Sequence, residues 1–195
     1  DSYVKIAAKY KINLNQTGWK TENGKKYYVK SDGTYQKNSW LKVNGKMYYF
    51  DASGVMQTGW KAINNKKYYL GTDGARVSGW KVIDGKTYYF NSDGVMQTGW
   101  QEKNGKKYYL GSDGLSVTGW QEIDGNKYYF DKTGIMQTGW QQIDGKSYYL
   151  DKDGKMLTGS QKIDGKDYTF NEDGTINPTW DTIIGANRFD TAKKI

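Results

Sequence analysis

The sequence predicts an all-β protein: an elongated solenoid, or superhelix, of stacked β-hairpins, with one hairpin in each repeat of about 20 residues. Tryptophan recurs at a constant spacing, at Trp40, Trp60, Trp80, Trp100, Trp120 and Trp140. An Asn-Gly or Asp-Gly pair separates two short runs of β-forming residues in most copies. Aromatic residues make up 16% of the chain and apolar residues only 36%. Each thin repeat must therefore bury its aromatic rings against its neighbours.

The repeats define three parts of the chain. Eight copies are traced within residues 17–180, after a leader of residues 1–16 and before a tail of residues 181–195. The first copy is one residue longer than the others, and Ser160 takes the place of tryptophan in the last full copy. Trp180 then restores the phase. The leader fits either a short helix or a degenerate hairpin.

Each copy contains a hairpin signal. In one copy the β-type runs Trp80–Ile83 and Lys86–Phe90 are separated by Asp84-Gly85. Both turn residues accept positive φ, as a two-residue hairpin turn requires. Equivalent pairs are Asn23-Gly24, Asn44-Gly45, Asn104-Gly105, Asp124-Gly125, Asp144-Gly145 and Asp164-Gly165, with Asn64-Asn65 as the one variant.

A two-residue turn also fixes the strand register, so Trp80 is expected opposite Tyr89. Alternation along the strands places these two rings on one face. Ile83, Tyr88 and Phe90 fall on the other face, which we predict to be the buried stacking surface of the repeat. The two adjacent tyrosines of each copy therefore have different predicted roles.

A second turn connects each hairpin to the next. It is Asp93-Gly94 in the copy described above, with counterparts at Asp73-Gly74, Asp113-Gly114, Asp153-Gly154 and Asp173-Gly174. Copies ending in Phe alternate with copies ending in Leu, which favours a structural unit of two repeats. The residue two positions after the connecting glycine is Tyr35, Met56, Arg76, Met96, Ser116, Met136, Met156 or Ile176. Junctions between hairpins are therefore expected to differ in chemistry.

Composition disfavours several classes of function. The chain contains neither cysteine nor histidine, so disulfides, thiolate metal sites and the commonest general base are excluded. The turn carboxylates lack the spacing of a calcium loop, and we expect no metal, no cofactor and no catalytic residue. The net charge of +8 is spread through all repeats, without a recognition helix, which argues against nucleic-acid binding. No stretch is long and apolar enough for membrane insertion.

The motifs Gly-Trp, Asn/Asp-Gly, Tyr-Tyr-Phe/Leu and Asp-Gly-Val-Met-Gln-Thr-Gly-Trp carry a family resemblance. Over about residues 17–180 the chain resembles the cell-wall-binding repeats of choline-binding proteins. By motif it is also similar to the glucan-binding repeats of glucansucrases and to the repeat domains of large glucosylating toxins. The resemblance implies a left-handed superhelix of hairpins in which three aromatic rings and a methionine enclose a quaternary ammonium, held by cation–π attraction.

The resemblance implies ligand-binding roles for the Gly-Trp tryptophans, the second tyrosines and the methionines. The candidate residues are Trp40, Tyr49, Met56, Trp60, Tyr69, Trp80, Tyr89, Met96, Trp100, Tyr109, Trp120, Tyr129, Met136, Trp140, Tyr149 and Met156. For any single site the alternative is that these rings only space the stack.

One position departs from the family pattern. Choline binders usually have a second tryptophan just before the tyrosine pair, and this chain has Lys26, Met47, Lys67, Thr87, Lys107, Lys127, Ser147 and Asp167 there. A lysine ammonium at this position would occupy or repel the place of the choline headgroup. The departure shifts weight toward a glycan ligand or a purely structural role.

The tail carries a second resemblance. Its Gly-Ala-Asn-Arg-Phe-Asp-Thr-Ala segment, residues 185–192, is similar to the opening of another type of bacterial cell-wall-binding repeat. We therefore expect residues 181–195 to begin a further wall-binding module.

The sequence thus predicts a non-catalytic module that anchors a secreted bacterial protein to the cell wall. Its expected partner is an envelope polymer, either choline-bearing teichoic acid or a glycan, bound at aromatic junctions between repeats. Many weak sites along one polymer would give avidity. The alternative is a sugar-binding or receptor-binding rod, or a structural spacer, as in the toxin repeat domains.

Overall fold

In the computed structural model, which describes residues 17–176, all regular structure is β-strand. Sixteen strands, β1 to β16, pair in sequence into antiparallel two-stranded hairpins. The prediction of one hairpin in each repeat is confirmed. The leader (residues 1–16), the tail (residues 181–195) and Trp180 lie outside the described residues. Residues 17–176 contain no helix that is long and apolar enough to cross a membrane.

The chain divides into two compact units, Asp1–Gln97 and Thr98–Ile195, called here unit 1 and unit 2. Unit 1 contains β1 (Gly18–Glu22), β2 (Lys25–Val29), β3 (Ser39–Val43), β4 (Lys46–Phe50), β5 (Gly59–Ile63), β6 (Lys66–Leu70), β7 (Gly79–Ile83) and β8 (Lys86–Phe90). Unit 2 contains β9 (Gly99–Lys103), β10 (Lys106–Leu110), β11 (Gly119–Ile123), β12 (Asn126–Phe130), β13 (Gly139–Ile143), β14 (Lys146–Leu150), β15 (Gly159–Ile163) and β16 (Lys166–Phe170).

The hairpin turns have the predicted backbone. Asp84 and Gly85 have φ values of 50° and 74°, both left-handed, which matches the right-handed twist of the flanking strands. The variant pair Asn64 and Asn65 adopts the same conformation, with φ values of 50° and 61°. Asparagine tolerates this region better than most side chains do.

The strand register also follows the prediction. Trp80 pairs with Tyr89 and Ile83 pairs with Lys86. Phe90 is 1% exposed and Ile83 is 5% exposed, whereas Val82 on the tryptophan-bearing face is 62% exposed. The side chains that end each second strand form the centre of a thin core: Phe50, Leu70, Phe90, Leu110, Phe130 and Leu150 are all essentially inaccessible to solvent. Each such side chain contributes about 1.5–3 kcal/mol of burial free energy.

Backbone hydrogen bonds join successive hairpins within a unit. After the connecting turn, the N–H of Met96 donates to the carbonyl of Lys67 in the preceding hairpin at 2.8 Å. The next N–H, from Gln97, donates to the carbonyl of Tyr89 at 2.8 Å. Each connection therefore bridges two hairpins. These hydrogen bonds stabilise hairpins that would be only marginally stable in isolation.

Methionines of these connections pack against glycines of the next turn. Met136 is 9% exposed, and a Cβ built on Gly154 would lie 2.5 Å from its Sδ atom. Gly154 also has a φ of 85°. Both space and backbone conformation therefore require glycine here.

Candidate ligand-binding site

Aromatic rings from two consecutive hairpins meet at each junction within a unit. We name each aromatic junction by its tryptophan. In the Trp120 junction, the ring of Trp120 lies 5.1 Å from that of Tyr129, its partner across the hairpin, and 4.8 Å from that of Tyr148 in the next hairpin. These centroid distances and the inclined ring planes are those of attractive aromatic pairs. Three rings thus form a shared aromatic surface.

The same arrangement recurs in both units. The tryptophan lies 5.1–5.5 Å from the second tyrosine of its own hairpin and 4.8–5.1 Å from the first tyrosine of the next in the Trp19, Trp40, Trp60, Trp100, Trp120 and Trp140 junctions. Trp80 lies 4.9 Å from Tyr89. Each of the predicted Gly-Trp tryptophans, from Trp40 to Trp140, therefore contacts the second tyrosine of its own hairpin.

The first tyrosine of each pair was missed as part of the junction. It shares a face with the stacking residues of its own hairpin, as predicted, but stacking places that face against the tryptophan of the preceding hairpin. Tyr128 is 7% exposed and Tyr148 is 9% exposed, and each supplies the third ring of a junction. Strand alternation describes one hairpin at a time, so it does not reveal this contact.

The predicted methionines belong to the junction of the hairpin before their own. Met156 follows the Trp140 hairpin, yet it lines the cavity beside Trp120. Its N–H donates to the carbonyl of Lys127 at 2.8 Å, which fixes it beside the Trp120 hairpin. Met136 packs in the same way near the Trp100 junction, in a cluster with Tyr128 and Tyr109. Met56 is 8% exposed and Met96 half-buried.

Two cavities in unit 2 open at these junctions. One has a volume of about 410 Å³ and is lined by Trp120, Gln121, Glu122, Lys127, Tyr148, Met156 and Asp173. The other has a volume of about 420 Å³ and is lined by Trp100, Gln101, Glu102, Lys107, Tyr128 and Asp153. Both volumes lie within the range of small-molecule sites. The two cavities repeat one chemistry: aromatic walls, two carboxylates and one ammonium.

The lysines in these cavities face a carboxylate. Strand register pairs Lys127 with Glu122 and Lys107 with Glu102. These lysines occupy the position where choline binders usually have a second tryptophan. An opposing carboxylate weakens the repulsion that a lone lysine would exert on a bound cation.

Two carboxylates and one ammonium line each cavity. A second lysine lies beside each rim aspartate: Lys146 Nζ is 4.0 Å from the Asp173 carboxylate, and Lys152 Nζ is 3.6 Å from the Asp153 carboxylate. The hydroxyl of Thr175 donates to the Asp173 carboxylate at 2.6 Å, and this hydrogen bond holds the pKa of Asp173 below its ordinary value. Burial raises the pKa of Tyr128, and the carboxylates of Asp151, Asp124 and Asp153 raise it further. The phenol therefore stays neutral beside the Trp100 junction.

Unit 1 has a different charge at the corresponding positions. The residue that pairs with the position before the tyrosines is Thr21, Lys42, Ala62 or Val82 in its four hairpins. In the Trp40 junction, the guanidinium of Arg76 lies 5.7 Å from the centroid of the tryptophan ring. At this strand position unit 1 therefore has neutral or basic residues, whereas the Trp100 and Trp120 junctions of unit 2 have glutamate.

Comparison with known protein families identifies a match for these repeats. A family model described as "Choline-binding repeat" matches residues 16–56, 37–78, 77–114 and 117–158. These matches cover well over half of the chain. No curated protein sequence matches it.

Several solved structures share the fold. Choline binding protein F from Streptococcus pneumoniae is 38% identical, with a TM-score of 0.72 and 83% of this chain covered. CbpJ from Streptococcus pneumoniae TIGR4 is 34% identical, with a TM-score of 0.74 and 83% of this chain covered. This chain spans only 57% and 58% of the lengths of those two proteins. The choline-binding domain of CbpL from Streptococcus pneumoniae is 30% identical, with a TM-score of 0.60, 84% of this chain covered and 98% of that domain covered.

Proposed function

Because the chain belongs to the choline-binding repeat family, we propose that it is a cell-wall-binding module that captures choline at its Trp100 and Trp120 junctions. In this proposal it performs no reaction itself and anchors a secreted protein to choline-bearing teichoic acid. The observation that carries the proposal is the pair of matching cavities, each walled by rings from two hairpins and rimmed by two carboxylates.

The chemistry of a trimethylammonium group fits these cavities. Its charge is spread over methyl groups, and it has no N–H to donate in a hydrogen bond. Moving this group from water to an aromatic surface therefore costs less free energy than moving a primary ammonium. The faces of Trp120 and Tyr148 attract the cation, and Met156 offers a polarizable contact to its methyl groups. Glu122 and Asp173 place carboxylates at the rim, where Lys127 and Lys146 offset part of their charge.

Several weak choline sites in one chain can together hold the protein on a choline-bearing polymer. Each aromatic contact with a cation contributes about 0.5–2 kcal/mol, so one junction alone holds a ligand weakly. A polymer that carries choline at intervals binds a second junction intramolecularly. Linking two sites raises the overall affinity by a factor of about 10²–10⁴ over either one.

Isothermal titration calorimetry of the 195-residue chain with choline chloride tests the proposal, and ethanolamine serves as the control titrant. We expect saturable binding of choline and much weaker binding of ethanolamine, because a primary ammonium remains strongly hydrated. Trp120→Leu should weaken the Trp120 site by about 2- to 30-fold, the equivalent of one lost cation–π contact. Equal binding of the two amines would contradict recognition of the trimethylammonium group.

The carboxylates are tested separately. Glu122→Gln should reduce choline affinity at the Trp120 site by about 1.4- to 5-fold, the range of an exposed charge interaction of ~0.2–1 kcal/mol. Asp144→Asn is a matched control: it removes one carboxylate of unit 2 from a hairpin turn, and asparagine occupies the same turn position at Asn104. An equal loss in both variants would show that net charge alone, and not the junction rim, governs binding.

Glycan binding is the second candidate, because exposed rings also stack on sugars. Trp60 and Trp100 are each 38% exposed, which leaves ring area for such stacking. Titration with a peptidoglycan tetrasaccharide distinguishes the two functions. Binding of the saccharide without choline binding would favour the glycan function, and silence with both ligands would favour a structural spacer.

A further inference from the structure

The Trp40 junction in unit 1 contains a cation of the protein itself. Arg76 stands two positions after the connecting glycine Gly74, where Met56 and Met96 stand in neighbouring copies. Its guanidinium carbon lies 5.7 Å from the centroid of the Trp40 ring. This distance is within the range of an attractive cation–π contact. An arginine thus takes the position that methionine holds in the Trp100 and Trp120 junctions.

Arg76 is held in this place from three sides. Its backbone N–H donates to the carbonyl of Met47 at 2.8 Å, and its Nη2 donates to the carbonyl of Ser92 at 3.1 Å. Its aliphatic part packs over Gly94, where an added Cβ would lie 2.5 Å from Cδ and 2.7 Å from Cγ of the arginine. The side chain is therefore fixed across the junction and does not extend freely into solvent.

The remaining charge of this junction also disfavours an external cation. Lys42 lies two residues after Trp40 on the same strand face and pairs with Met47. The equivalent residue in the Trp120 junction is Glu122, which pairs with Lys127. The Trp40 junction therefore carries Lys42 and Arg76 where the Trp120 junction carries Glu122 and Met156. Its Met47 stands where the Trp120 junction has Lys127.

We propose that Arg76 occupies the Trp40 junction as a built-in cation and excludes an external quaternary ammonium from it. This inference rests on the proposed function and refines it, since it makes the residue two positions after the connecting glycine the one that opens or closes a junction. Methionine leaves the aromatic surface available, whereas arginine covers it. The three rings of the Trp40 junction then pack two hairpins together and do not bind a ligand.

Two reciprocal substitutions test this inference by calorimetry with choline chloride. Arg76→Met restores the residue found at Met56 and Met96, and should increase the number of choline molecules bound per chain by one. Met156→Arg places arginine beside Trp120, and should decrease that number by one. Lys86→Met is the matched control for Arg76→Met, because it removes an exposed positive charge of unit 1 from the first residue of β8.

The NMR signals of the tryptophan indole N–H groups show whether each variant is folded and which tryptophan responds to choline. A new shift at Trp40 in Arg76→Met, absent from the wild type and from Lys86→Met, supports the inference. An unchanged stoichiometry in Arg76→Met overturns it. If the wild type binds no choline and Arg76→Met binds one equivalent, the inference stands and the proposed Trp100 and Trp120 sites fail. If neither protein binds choline, both proposals fail.

Discussion

Replacing Gly154 with alanine should destabilise the protein through two separable effects. The residue has a φ of 85°, and the new Cβ would lie 2.5 Å from Sδ and 2.7 Å from Cε of Met136. A left-handed backbone costs a non-glycine residue about 1–2 kcal/mol. Overpacking of a filled site costs a further 1–3 kcal/mol, roughly. We therefore expect a total loss of about 2–5 kcal/mol of unfolding free energy.

Gly145 provides the matched comparison, because it lies in the same repeat with a φ of 74° and nothing within 4 Å of an added Cβ. Gly145→Ala should therefore show only the backbone cost of about 1–2 kcal/mol. In a Met136→Ala background the packing part of the Gly154→Ala cost should disappear, since alanine leaves room for the new Cβ. This double-mutant cycle isolates the contact between the two residues.

Urea denaturation of the wild type and each variant, followed by tryptophan fluorescence, measures these differences. If Gly154→Ala is no more destabilising than Gly145→Ala, Met136 is not packed against the turn. The same conclusion follows if the cost of Gly154→Ala is equal with and without the Met136 side chain.

Two further predictions concern stability. Asn65 has a φ of 61°, a region that glycine adopts without strain and that costs an ordinary residue about 1–2 kcal/mol and asparagine less. Asn65→Gly should therefore raise the unfolding free energy by less than about 1 kcal/mol in the same urea assay; a destabilised variant would show that the asparagine side chain has a role beyond the turn. The pKa values of Asp73 and Asp173 lie below the ordinary 3.8, through hydrogen bonds from Ala75 and Thr175 respectively. The unfolded chain therefore binds more protons below about pH 4, and stability should fall as the pH drops through the folded-state pKa values. Thermal unfolding by circular dichroism at a series of pH values checks this, and a midpoint that does not fall in acid would contradict it.

The local structure of each repeat could be predicted because short-range rules determine it. A two-residue turn fixes the register that places Trp80 opposite Tyr89, and alternation then identifies Phe90 as buried. Within residues 17–176 the same register recurs in all eight hairpins.

The composition of the junction could be predicted only in part, because it depends on how one hairpin stacks on the next. Alternation places Tyr148 on the stacking surface, and its contact with Trp120 depends on the relative placement of two hairpins. The contact of Arg76 with Trp40 spans a similar distance in sequence. The pairing of Glu122 with Lys127, by contrast, follows from the register alone and could have been recognised in the sequence.

Choline binding at the Trp100 and Trp120 junctions of unit 2 can be measured by titrating the isotopically labelled chain with choline chloride and following the indole N–H signal of each tryptophan by NMR. We expect saturable shifts at Trp100 and Trp120 and no shift at Trp40. Unchanged indole signals at Trp100 and Trp120 up to saturating choline would contradict choline binding at these two junctions.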